Sequence, residues 1–152
     1  MKYWNVVKKI FDAQMNTERG VKYYKTDNHV WFLDGYSGWR FKINPDKRYV
    51  YNECIFDLSK FDEFNASMMF KINGDFEDVT ARVKDERYKK MIRLETENKH
   101  AYFREDLLKV FDKSDKFKLA ECEFKKDVQM LYVFEDDEMV AFVLPVQVFE
   151  RK

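Results

Sequence analysis

Val7-Lys8-Lys9-Ile10-Phe11-Asp12 returns a hundred positions later as Leu107-Leu108-Lys109-Val110-Phe111-Asp112. From Tyr3 to Met15, Tyr3, Val6, Val7, Ile10 and Phe11 recur at helical spacing, with Lys2, Asn5, Lys9 and Asp12 mostly on the other side, so the first copy belongs to an amphipathic helix docked on a core. The second copy predicts another helix starting near Arg104. There Glu105 and Asp106 stand at the positive end of the dipole and Lys109 and Lys113 toward the negative end.

The strands after each helix keep nearly the same offset. After Gly20, Val21 to Lys25, His29 to Leu33 and Trp39 to Ile43 read as three strands, the last two joined through Asp34-Gly35-Tyr36-Ser37-Gly38, with Pro45 closing the set. After the second helix come Phe117 to Phe124, Met130 to Phe134 and Met139 to Val148, the last two joined by the acidic turn Glu135 to Glu138. Trp39, Phe41 and Ile43 alternate with Arg40 and Lys42, the pattern of a sheet with one face on the core and one in water. Pro145 suggests an edge or terminal position in the final strand. The hairpin of Trp31 to Ile43 thus corresponds to that of Leu131 to Val143, and the whole helix, strand and hairpin order recurs. Between the halves the pattern is irregular. Phe56 to Phe64 starts a strand or a short helix, Asn73-Gly74-Asp75 marks a turn, and Met91 to Thr96 and His100 to Phe103 are strands around Glu97-Asn98-Lys99. The expected architecture is α+β, with antiparallel sheets and two amphipathic helices. It forms one domain over 1–152, with halves at roughly 1–50 and 91–152.

Composition agrees with a folded core. A chain of 152 residues buries roughly 70% of its unfolded surface, and fifteen Phe, nine Tyr and three Trp supply large apolar areas. Twenty-eight basic residues balance twenty-eight acidic ones, so the chain lacks the net positive charge of a dedicated nucleic-acid binder. Cys54 and Cys122 are too few for a disulfide scaffold. With no apolar run of signal-peptide or membrane-span length, they point to a reducing, cytoplasmic compartment, with a Cys54–Cys122 pair left open.

Two βαβββ units related by a pseudo-twofold axis are the building block of DNA sliding clamps, and this chain resembles such a unit. The ending Glu138-Met139-Val140-Ala141-Phe142-Val143-Leu144-Pro145-Val146-Gln147-Val148 is similar to the last strand of bacterial β clamps, with Gln147 where an arginine is usual. His29 to Phe32 and the same ending also resemble small clamp-like proteins of phages and prophages of low-GC bacteria, which implies a bacterial host cytoplasm. The resemblance implies a peptide-accepting groove at Leu144, Pro145 and Val146, and a DNA-facing role for Lys2, Lys8, Lys9, Arg104, Lys109 and Lys113. Ordinary sheet packing and solvated helix faces account for the same residues. Since clamps close a ring of six domains, one domain cannot encircle DNA alone.

No catalytic pattern accompanies this. His29 and His100 lack Cys or His partners at zinc spacing, the glutamates beside Cys122 oppose thiol activation, and four glycines form no phosphate-cradling loop. The expectation is a protein without catalytic centre, metal or cofactor that engages a replication-type protein partner or DNA. The alternative is a small inhibitor of a host nucleic-acid enzyme or defence system, of the anti-CRISPR kind, acting by protein contact or DNA mimicry. Mimicry requires acids such as Asp57, Asp62, Glu63, Asp75, Glu77, Asp78 and Glu135 to Glu138 on one face. A metal-dependent nuclease assembled from separated acids is a distant third.

Overall fold

The structure is a computed structural model that describes residues 1–15, 20–42 and 56–148. The predicted features at Ile43, Pro45 and Cys54 lie outside the described residues. Helix α1 (Tyr3–Met15) has no acid in its first turn and no base in its last, so end charges do not complement its dipole, and burial of Val6, Val7 and Ile10 docks it on the core. Lys2 fixes its start: its carbonyl accepts from Asn5 and Val6, and its own N–H donates to the Val110 carbonyl at 2.7 Å.

Strands β1 (Lys22–Lys25), β2 (His29–Leu33) and β3 (Ser37–Lys42) form an antiparallel meander in which Phe32 faces Trp39 and Val30 faces Phe41. The intermediate region is more regular than its sequence suggests. A 3-10 turn at Leu58–Lys60 leads into β4 (Asp62–Glu63), which pairs parallel with β1. A second 3-10 turn at Ser67–Phe70 leads into β5 (Ile72–Asp78). Asn73, Gly74 and Asp75 therefore do not end an element. They lie within β5, where the register shifts between Asn73 and Glu77, and Gly74 takes φ +85° there. Then β6 (Ala81–Lys84), β7 (Met91–Glu95) and β8 (His100–Arg104) make a separate three-stranded antiparallel sheet.

Helix α2 (Glu105–Leu108) is only four residues long, against the longer amphipathic helix expected from the repeated hexamer. Val110 and Phe111 are buried beyond its end, and Lys113 lies outside it. Apolar spacing gave the inward face correctly and the helix length incorrectly. Strands β9 (Lys116–Cys122), β10 (Lys125–Glu135) and β11 (Glu138–Val143) complete an eight-stranded sheet of order β4-β1-β2-β3-β11-β10-β9-β5. β11 is thus internal, hydrogen-bonded to β10 and to β3, and it ends at Val143. Pro145 lies beyond it, so the strand can be internal without losing a ladder hydrogen bond to proline.

The sheet carries a buried cluster on each face, and on β3 the expected alternation holds, with Trp39 and Phe41 buried, Arg40 half-buried and Lys42 exposed. On one face Phe32, Trp39, Leu119 and Leu131 pack with α1, α2, and Leu94 and Phe103 of the small sheet. On the other, Trp31, Tyr132 and Phe142 lie beneath a strap comprising Ala66, Met69 and Phe70. The Phe70 ring centroid is 4.7 Å from Trp31 and 5.8 Å from Phe142. Tyr132 donates its hydroxyl to the Met69 carbonyl at 2.6 Å, and burial holds its phenol well above the ordinary tyrosine range. The same arrangement shows that an offset of one hundred does not preserve orientation in the hairpins. Trp31 faces the strap and Leu131 faces the helices, because one residue of register exchanges the two faces of a strand.

Candidate binding cleft

Where the strap leaves the sheet, a cleft of about 610 Å³ opens beside the β2–β3 turn and the exit of β11. Its apolar lining includes Leu33, Met69, Phe142 and Leu144. Two half-exposed rings also line it: Phe64 on the strap and Phe124 on the β9–β10 turn, 41% and 46% accessible. Phe64 is held by its N–H to the Tyr23 carbonyl at 2.8 Å, and Lys22 Nζ lies 5.6 Å from its ring centroid. Asp34 and Asp62 add acid to the lining.

The β2–β3 turn shapes one wall. Asp34 Oδ1 accepts the N–H groups of Tyr36 at 2.8 Å and Ser37 at 2.7 Å, while Gly35 takes φ +92°. Burial raises the Asp34 carboxyl above its usual range. The two N–H groups and the charges of Lys9 and Arg104 offset this only in part. Phe142 packs over Gly38, its register partner on β3, where any Cβ would overlap its ring.

Of the three residues predicted for a groove, the structure brings one to the cleft. Leu144 lines it and donates its N–H to the Tyr36 carbonyl at 2.8 Å. Val146 instead reaches the small sheet, donating its N–H to the Tyr102 carbonyl at 2.8 Å, and Pro145 lies half-buried between them. Phe64 and Phe124 were not among the predicted residues. No spacing rule marks them, since each sits in a connection and becomes a neighbour of Leu144 only through the fold.

Four of the six basic residues gather along the α1–α2 seam. Lys2 Nζ donates to the Lys109 carbonyl at 3.4 Å and Lys9 Nζ to the Asp106 carbonyl at 3.1 Å. Arg104 grips Asp106 with Nε at 3.1 Å and Nη2 at 2.8 Å and lies over the Tyr36 ring. Lys8 and Lys113 are exposed, and neither joins these contacts. The Asp106 carboxylate thus neutralises Arg104, while Lys2 and Lys9 meet only backbone carbonyls.

Among the described residues no three His, Cys, Asp or Glu side chains are grouped to hold a metal ion. Cys122 is a free, fully buried thiol. The acids are dispersed. Asp62 and Glu63 occupy one edge strand of the large sheet, and Asp75, Glu77 and Asp78 the other. Glu77 pairs with Lys99 at 3.1 Å, Asp78 with Lys118 at 3.5 Å and Glu138 with Arg40 at 3.0 Å. The Met1 ammonium sits among Asp115, Glu135 and Asp112 at 2.8, 2.9 and 3.2 Å. Burial alone lowers its pKa, but the three carboxylates together outweigh this and raise it above the ordinary α-amine value. No helix among the described residues is long and apolar enough to cross a membrane. Comparison with protein families, with curated proteins and with solved structures gives no match.

Proposed function

We propose that this chain is a non-enzymatic binding protein, of phage or prophage type, built around one sliding-clamp-like domain, and that its cleft accepts a short segment of a replication-type protein. The observation that carries the reading is the position of the cleft: the exit of β11, the strand whose sequence resembles the clamp ending, supplies Phe142 and Leu144 to its lining. An apolar lining with two exposed aromatic rings suits a large apolar side chain of a peptide, and Asp34 and Asp62 favour a basic residue beside it.

The order of elements supports the paired-unit reading. α1, β1, β2 and β3 on one side and α2, β9, β10 and β11 on the other meet where β3 and β11 run antiparallel at the middle of the sheet. That is the arrangement expected of two related halves about a pseudo-twofold axis. The alternative of DNA mimicry is less favoured, because the acids it needs occupy opposite edges and several are paired. DNA contact through the helices is less favoured as well, since Arg104 is paired with Asp106, and Lys8 and Lys113 stand apart from the other four basic residues.

The test is affinity capture from a bacterial host, comparing the parent with Phe124→Asp and Leu144→Asp and identifying what is retained by mass spectrometry. Polymerase or clamp-loader subunits held by the parent and lost from both variants are the expected result. Retention of a CRISPR or other defence effector in their place overturns the replication reading in favour of the inhibitor. Far-UV circular dichroism of each variant separates loss of the cleft from loss of the fold.

A further inference from the structure

Helix α1 carries more apolar surface than its docking uses. Val6, Val7 and Ile10 are buried, yet Trp4 is 61% exposed, Phe11 46% and Met15 82%. At about 100° of rotation per residue, these three side chains fall within about 40° of one another, in one stripe about three turns long. Phe11 is steadied from below by Phe56, whose ring centroid lies 5.2 Å away. Single apolar residues on a surface are ordinary, but a contiguous line along one helix marks a contact surface. Lys8 and Asp12 flank this stripe on the same side, and neither has an ion-pair partner among the described residues.

We propose that this stripe is the interface of a two-fold dimer of this chain, with two α1 helices packed antiparallel. The order of residues identifies the occupant. A two-fold axis that sets Trp4 against Met15 of the second copy also brings Lys8 to within about 1.5 Å, along the helix axis, of the level of Asp12 of the second copy. Because the axis maps each flank onto itself, Lys8 and Asp12 of opposite copies lie on the same side of the contact. The interface therefore contains two Trp–Met contacts and two Lys–Asp pairs, and each copy supplies both partners of each, as an isologous contact requires. Trp suits the centre of such a contact, and the thioether packs well on its indole. Three side chains per copy make a small interface, so the dimer is weak and reversible, and it leaves the cleft free.

Charge exchange tests this directly. The full chain is followed by sedimentation equilibrium from micromolar to millimolar concentration, beside Lys8→Asp and Asp12→Lys. The parent should dimerise reversibly, and each single variant should associate about tenfold or more weakly, because each puts like charges together twice. An equimolar mixture of the two single variants should recover association, since both ion pairs are then restored across a heterodimer. Both substitutions are at exposed positions, and near-UV circular dichroism checks that the core is unchanged. A parent that stays monomeric throughout, variants that associate as well as the parent, or a mixture that gains nothing each overturn the proposal.

Discussion

Phe11 and Phe111 hold the same position in two similar hexamers, Val7 to Asp12 and Leu107 to Asp112, yet Phe11 is 46% exposed and Phe111 only 6%. The difference lies in how far each helix continues past its hexamer. α1 runs to Met15, so Phe11 rides on a helix whose other side is docked. α2 ends at Leu108, and the chain then folds Val110 and Phe111 beneath itself on the way to β9. The same six-residue pattern thus serves an outward surface in one half and core closure in the other. The hairpins differ in the same way. The first turns on Asp34 and Gly35, with φ +92° at the glycine. The second places Asp136 and Asp137 at φ +50° and +64°, which no glycine relieves. Where the halves meet, the first contributes Gly38 and the second contributes Phe142.

That last asymmetry should give the largest effect. Gly38→Ala forces its methyl into the Phe142 ring and should cost about 2 kcal/mol in urea unfolding. The same substitution in a Phe142→Leu background should cost measurably less than in the parent, whereas equal costs mean the ring is not the obstacle. Tyr132 differs from Trp31, its strap-facing counterpart on β2, in securing the strap through a hydrogen bond. Tyr132→Phe leaves the Met69 carbonyl without that donor and should lower stability by about 1 to 2 kcal/mol, read as a fall in the urea midpoint at constant slope. In the second turn, Asp137→Gly removes a positive-φ cost and should raise stability by about 0.5 to 1 kcal/mol, while Gly35→Ala in the first turn should lower it.

The smallest effects distinguish the turns by pH. Asp34 is raised by burial, so its contribution is fully present below the unfolded value near 3.8 and is lost as pH rises through its higher folded value. Asp34→Asn keeps the acceptor for both N–H groups and should therefore stabilise the protein at neutral pH and remove that part of the pH dependence. Glu138 is lowered, chiefly by its hydrogen bond to Arg40. Its contribution is present above the unfolded value near 4.5 and is lost as pH falls through the folded value. Glu138→Gln should flatten that acid limb slightly, and thermal melts across pH of both variants should change in opposite senses.

The features legible in the sequence were local. His29 to Leu33 was bounded correctly because a turn former comes after it and every side chain but the first is apolar. Spacing set Val6, Val7 and Ile10 inward in the first helix and Leu107, Leu108, Val110 and Phe111 inward after Arg104, but it also grouped Phe11 with the docked side, where the structure leaves that ring 46% exposed. The strap was not legible, because Ala66, Met69 and Phe70 have no period and acquire a face only when the sheet lies beneath them. Nor was the junction of β3 with β11, since a pairing between Trp39 and Ala141 leaves no trace in either strand alone. Of the cleft, the ending singles out Leu144, which the structure sets in its lining. Phe64 and Phe124 were missed because their proximity depends on the strap and on the β9–β10 turn.

The internal position of β11 also bears on how the chain emerges from a ribosome. Until residues 138–143 have been made, β3 and β10 lack the strand that joins them and each presents an unpaired row of backbone donors and acceptors. The first half can form its meander early, but the sheet is joined late, through contacts about a hundred residues apart in sequence. Such a nascent chain gains from a chaperone that shields its edges, and a truncation before β11 yields two sticky half-sheets rather than a smaller native protein.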